Sequence, residues 1–290
     1  MIPSSNYTLG LKQVFYSNLL KKFKISFNMD KGSDTPPMAA MATALFYSKE
    51  LAASNPQYFT KSQSPKQKLV VEPKKEKWAL QILEDKNKNM KELYGDASFQ
   101  VVSPNEMVKS NTMEALEFLK KEIPSFYSIY QECVSHCFVA ESKDLWSVSI
   151  PQAMGTIVIC PKKHWDINYY VEAIVHESTH VELSMKQQID PLLKNPMKTT
   201  KNPLRKDPRP LNGTFHAAVV MLRTSYALKR LPKNKNNEVL LDEFLEKLPV
   251  SLEEIEANAI FTEKGKTFFE EMESFYQSEI LNKRHLHTSL

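Results

Sequence analysis

The stretch 166–185, DINYYVEAIVHESTHVELSM, decides how this chain is read. Ile167, Tyr170, Val171, Ile174, Val175 and Val181 recur at helical spacing, and Asp166 stands where an N-cap belongs. The spacing predicts one amphipathic helix beginning beside Asp166. In its middle lies His176-Glu177-Ser178-Thr179-His180. Four residues are slightly more than one helical turn, so His176 and His180 project from the same face and can hold one metal ion together. Polar groups at such a place need partners, and a metal is one way to supply them.

Working outward, Trp146 to Cys160 reads as two strands with a turn near Pro151–Gly155. Thr156 to Ile159 is β-branched throughout, which suits a pleated surface, and Pro161 ends the run. Ser98 to Ser103 reads as a further short strand. Helical patterns cover 8–28, 38–51, Trp78 to Tyr94 and Asn111 to Ile123, while Tyr127 to Val139 fits helix or strand. Residues 54–76, rich in Pro, Ser, Gln and Lys, read as an exposed connector.

Beyond the motif, residues 190–213 form a long connector punctuated by Pro191, Pro196, Pro203 and Pro208. A helix from Thr214 to Leu231 follows, then a helical tail, 238–281, with breaks expected at Pro249 and near Gly265. Six glycines in 290 residues, together with long periodic stretches, favour a mainly α protein with a small β-sheet, an α+β class. Residues 1–130 are expected to form a mostly helical region that contacts substrate or leader. Residues 131–290 are expected to carry the metal and the chemistry, packed with the first part as one unit.

Composition removes several classes. A net charge of +4, without a single-face run of Lys/Arg interleaved with aromatics, argues against nucleic acid. No stretch approaches a membrane span, and Lys12, Lys21, Lys22 and Lys24 break up the N-terminus, so neither an anchor nor a secretory signal is expected. Cys133, Cys137 and Cys160 suit a reducing cytoplasm. Cys133, His136 and Cys137 lack the second pair that a zinc knuckle needs, which favours buried thiols.

A metal site needs a further ligand. The metzincin extension would place a glycine and a histidine where Leu183 and Lys186 stand. Glu182 points away from the histidine face, and Glu238, Glu243 and Glu246 lack the gluzincin pattern. His216, after the connector, is the better third ligand. Arg223 follows two turns later on nearly the same face, where its fork suits a carboxylate of a metal-bound ligand. A core histidine and a surface ion pair are the plain alternatives for these two residues.

His176-Glu177-Ser178-Thr179-His180, a connector of some thirty residues, then Arg209-Pro210-Leu211-Asn212-Gly213-Thr214-Phe215-His216 and Arg223 resemble a known family. It is the HExxH-type α-ketoglutarate-dependent peptide β-hydroxylases, encoded with ribosomally synthesised, post-translationally modified peptides. Gly155 to Ile159 ahead of the motif helix, and the later Phe261-Thr262-Glu263-Lys264-Gly265, are similar to further parts of the pattern. The resemblance covers roughly 145–275; the first 130 residues match only in being helical.

What the resemblance implies is Fe(II) held by His176, His180 and His216. α-Ketoglutarate would bind the metal with its far carboxylate on Arg223, Arg209 being the second candidate, and O2 would take the remaining position. The products would be succinate and a precursor peptide hydroxylated at a β-carbon. Glu177 would orient a histidine or a metal-bound water. The basic connector (Lys194, Lys198, Lys201, Arg205, Lys206) would be a flexible segment that closes over the peptide or engages acidic leader residues; a solvated surface loop is the plain alternative.

Two rival readings stand beside it. In a zinc metallopeptidase, His176 and His180 would bind Zn(II) and Glu177 would act as general base. In a helical peptide-binding protein the metal would be structural. Three histidines suit either ion, so Fe(II) rests on the resemblance.

Overall fold

The structure is a computed structural model that describes residues 98–134, 136–149, 155–204 and 207–281, with short pieces at 70, 72–75, 80 and 83. The helices expected at 8–28 and 38–51, most of that at 78–94 and most of the connector at 54–76 lie outside the described residues. The described part is mainly helical with a small mixed sheet, as the α+β expectation has it. The chain divides into two compact units, one ending at Met185 and the other beginning at Lys186.

In the first unit, α1 (Glu106–Glu122) begins at Asn105, whose side-chain oxygen accepts from the Val108 amide at 2.9 Å. Val108, Thr112, Ala115, Leu116 and Leu119 form its buried stripe. Pro124, whose missing N–H costs nothing in a first turn, starts α2 (Pro124–Cys133). The undecided stretch from Tyr127 therefore contains both elements, helix to Cys133 and strand from His136.

The sheet comprises β1 (Gln100–Val102), β2 (His136–Glu141), β3 (Ser147–Ser149) and β4 (Thr156–Ile159) in the order β1-β2-β4-β3. β2 and β4 are parallel, and the flanking strands pair antiparallel to them. This gives the central strands their near-continuous burial and leaves β3 partly exposed. Leu83, Phe99, Phe138, Ala140, Val158 and Cys160 form a core cluster. Gly155 enters β4 with φ of 84°, a left-handed conformation that favours glycine.

α3 (Ile167–Ile189) starts where the sequence predicts, with the Asn168 amide donating to Asp166 Oδ1 at 3.0 Å. It carries the motif and continues into the second unit.

There, α4 (Leu211–Leu228) is buried on nearly every side from Thr214 onward, as expected of a helix enclosed by its neighbours. α5 (Lys235–Asn258), α6 (Glu263–Phe275) and a π-helical turn (Tyr276–Leu281) complete the unit. Pro249 does not break α5, contrary to expectation. Leu248, Ser251, Leu252 and Ile255 are buried around it, and packing of that stripe outweighs the ~3 kcal/mol cost of an interior proline. The one break falls at 259–262, close to the second one expected near Gly265. Gly265 lies inside the first turn of α6, where Thr262 caps by accepting from the Gly265 amide at 3.0 Å.

The connector is more structured than expected of a flexible loop. β5 (Thr199–Thr200) pairs with β6 (Arg209–Pro210). The amides of Lys194 and Ile260 donate to Ile260 O at 2.7 Å and Asn195 Oδ1 at 2.8 Å respectively. The Thr262 amide donates to Leu192 O at 3.1 Å. The start of the connector is thus tied to the junction of α5 and α6. Among the described residues no helix is long and apolar enough to cross a membrane.

Candidate metal centre

α3 brings His176 and His180 together as their spacing requires, with ring centroids 5.1 Å apart. Both are partly exposed while their helical neighbours are buried. One turn before His176, Glu172 accepts from its Nδ1 at 2.9 Å. This bond fixes the ring and leaves Nε2 as the other nitrogen, the division of labour a metal-binding imidazole would use. Sequence reading missed Glu172, although a carboxylate four residues before a ligand histidine is a legible signal.

Glu177 is buried. Its Oε1 accepts from Ser147 Oγ of β3 at 2.6 Å and lies 3.9 Å from His176 Nε2. Burial disfavours a charged imidazole at His176. The hydrogen bond to Glu172 and the negative charges of Glu172 and Glu177 outweigh burial and raise its pKa to about 9. The surroundings of the His176 ring therefore favour positive charge. Two imidazoles beside two carboxylates are donors of the kind a divalent cation takes.

In the second unit, His216 is buried on α4, its Nε2 2.8 Å from Gln187 Oε1. The Gln187 amide nitrogen in turn donates to Asn212 Oδ1 at 2.7 Å. That orientation makes Gln187 Oε1 the acceptor and His216 Nε2 the donor, leaving Nδ1 with the lone pair. Burial pushes the pKa of His216 down to about 4, so the ring is neutral at pH 7, the form that binds metal. Gln187 was also missed, and no spacing rule connects it to a residue 29 positions away.

Arg223, two turns after His216, is 2% exposed, which rules out a surface ion pair. Arg209 is partly buried on β6. Among the described residues, no three His, Cys, Asp or Glu side chains are gathered into a group that could hold a metal ion. The structure brings together His176, His180, Glu172 and Glu177; His216 has Gln187 as its neighbour. The three cysteines are buried free thiols, and burial raises Cys137 and Cys160 to about 12.

The sequence matches no known protein-family model and no curated protein.

Proposed function

We propose that the chain is an Fe(II)- and α-ketoglutarate-dependent oxygenase that hydroxylates the β-carbon of residues in a ribosomally synthesised precursor peptide in the cytoplasm. The observation that carries this reading beyond a generic metal site is Arg223. It is 2% exposed and stands on the same helix as His216, two turns from it. Its planar fork matches the far carboxylate of α-ketoglutarate. Arg209 is the second candidate for that contact.

His176, His180 and His216 would hold the metal. Bound Fe(II) would supply O2 activation and the oxidative decarboxylation of α-ketoglutarate to succinate. The chain's own residues have simpler tasks. Glu172 keeps the Nδ1 proton of His176, so Nε2 is the donor to the cation. Ser147 holds one oxygen of Glu177, which orients that carboxylate beside Nε2.

The position of Glu177, 3.9 Å from His176 Nε2, also favours a second reading. A zinc peptidase would place its general base there. Metal loading with Fe(II) or Zn(II), followed by assays for succinate and for peptide cleavage, separates the two. Succinate formation with Fe(II) and no cleavage supports the oxygenase. Cleavage with Zn(II) that Glu177→Gln abolishes overturns it.

A further inference from the structure

We infer that the edge of β3 left unpaired by every described strand binds the peptide as an added β-strand, passing alongside Glu177. The inference takes from the proposed function only the peptide nature of the ligand. The strand order leaves β3 at an edge. Its register sets Ser147 opposite Ile159, Val148 opposite Val158 and Ser149 opposite Ile157. The Cys160 amide donates to Trp146 O at 2.7 Å, so position 146 is hydrogen-bonded to β4. Antiparallel ladders alternate, which turns the backbone groups of Val148 inward and those of Ser147 and Ser149 toward the open side.

Among the described residues no other strand pairs with that side, and Ser147, Val148 and Ser149 are all partly exposed. The strand itself carries no proline or charge of the kind that blunts an edge. Two N–H and two C=O groups thus stand in the arrangement that an extended peptide completes.

Two neighbours give this edge a use. Ser147 reaches Glu177 through its side chain, so a strand added about 4.8 Å beyond β3 runs beside the motif. Alternate residues of that strand would turn their β-carbons toward the face on which Ser147 meets Glu177. Trp146, at the head of β3, is 40% exposed yet braced. Its ring stands edge-on to Tyr169 at 5.3 Å, and Tyr169 stacks on Trp165 at 5.8 Å. A fixed, exposed indole beside backbone groups that no described strand pairs suits an aromatic or aliphatic side chain of the peptide.

The test uses the full-length, metal-free protein and a labelled pool of random dodecapeptides. Bound peptides are sequenced, and the affinity of an enriched one is measured by fluorescence anisotropy. Ser149→Pro removes an outward N–H, a change that edge strands accommodate. Losing one or two peptide hydrogen bonds weakens binding about tenfold, with the melting temperature unchanged. Trp146→Ala removes the preference for an aromatic or aliphatic residue.

If Ser149→Pro does not fold, N-methylation of successive peptide amides read on the wild-type protein gives the same answer: alternate positions lose affinity. No enrichment of any peptide, unchanged affinity in a folded Ser149→Pro, or N-methyl effects without alternation overturns the inference. Binding is read without metal, so this outcome is independent of whether the loaded protein makes succinate.

Discussion

Glu172 and His176 stand one turn apart on α3, joined by a 2.9 Å hydrogen bond from Nδ1 to Oε1. The carboxylate keeps the ring from turning and holds Nδ1 as a donor. Nε2 is then the nitrogen that would meet a cation under the proposed function, with Glu177 3.9 Å away.

Glu172→Gln keeps the size of this partner and removes its charge. Metal affinity is expected to fall about 10–100-fold, the range found for carboxylates behind a ligand histidine. Competition against a chromophoric chelator measures it. An affinity within twofold of wild type would show that Glu172 does not set up His176 for metal.

His176 and His216 should act on metal-free stability in opposite pH windows. His176 is raised from 6.5 to about 9, so its contribution is complete below 6.5 and is lost as pH rises through 9. His216 is lowered from 6.5 to about 4, so its contribution is complete above 6.5 and is lost as pH falls through 4. Thermal melts in chelator are expected to show an alkaline decline that His176→Gln flattens and an acid decline that His216→Gln flattens. Stability that climbs from pH 6.5 to 9 in the wild type would contradict this account of His176.

Gly265→Ala places a Cβ 1.8 Å from the Leu192 carbonyl oxygen, a backbone atom that other bonds hold in place. The expected loss is about 2–3 kcal/mol. Thr262→Ala, which only removes the cap of α6, should cost about 1 kcal/mol. Chemical denaturation ranks the two, and an unaffected Gly265→Ala protein would mean the connector is not seated on α6 as described.

What the sequence revealed and what it hid divide along physical lines. The motif helix was legible because its apolar period, its Asp166 cap and its polar interruption are all local. β4 was legible because Thr156 to Ile159 is β-branched throughout. Tyr127 to Val139 resisted because the chain changes from helix to strand between Cys133 and His136, and one window averages two periods. Pro249 misled because burial on either side overrides a local breaker. Ser147 and Gln187 were invisible because each meets its partner across about thirty residues, where no periodicity operates. Asn195 and Leu192 likewise tie the connector to residues more than sixty positions away.

Cys137 and Cys160 should resist alkylation in the native protein, because burial holds both thiols at about 12. Iodoacetamide at pH 8, with mass spectrometry of the digested protein, is expected to label them only after denaturation. Rapid labelling of Cys160 in the native state would show that its side of the sheet opens.

The most direct measurement is succinate formed from α-ketoglutarate by the protein loaded anaerobically with Fe(II) and then exposed to air, with His216→Ala and Arg223→Ala in parallel. The account predicts succinate from the wild type, loss in both variants, and recovery of part of the Arg223→Ala activity at high α-ketoglutarate. Wild-type protein that binds iron yet forms no succinate, with or without peptide, would contradict it.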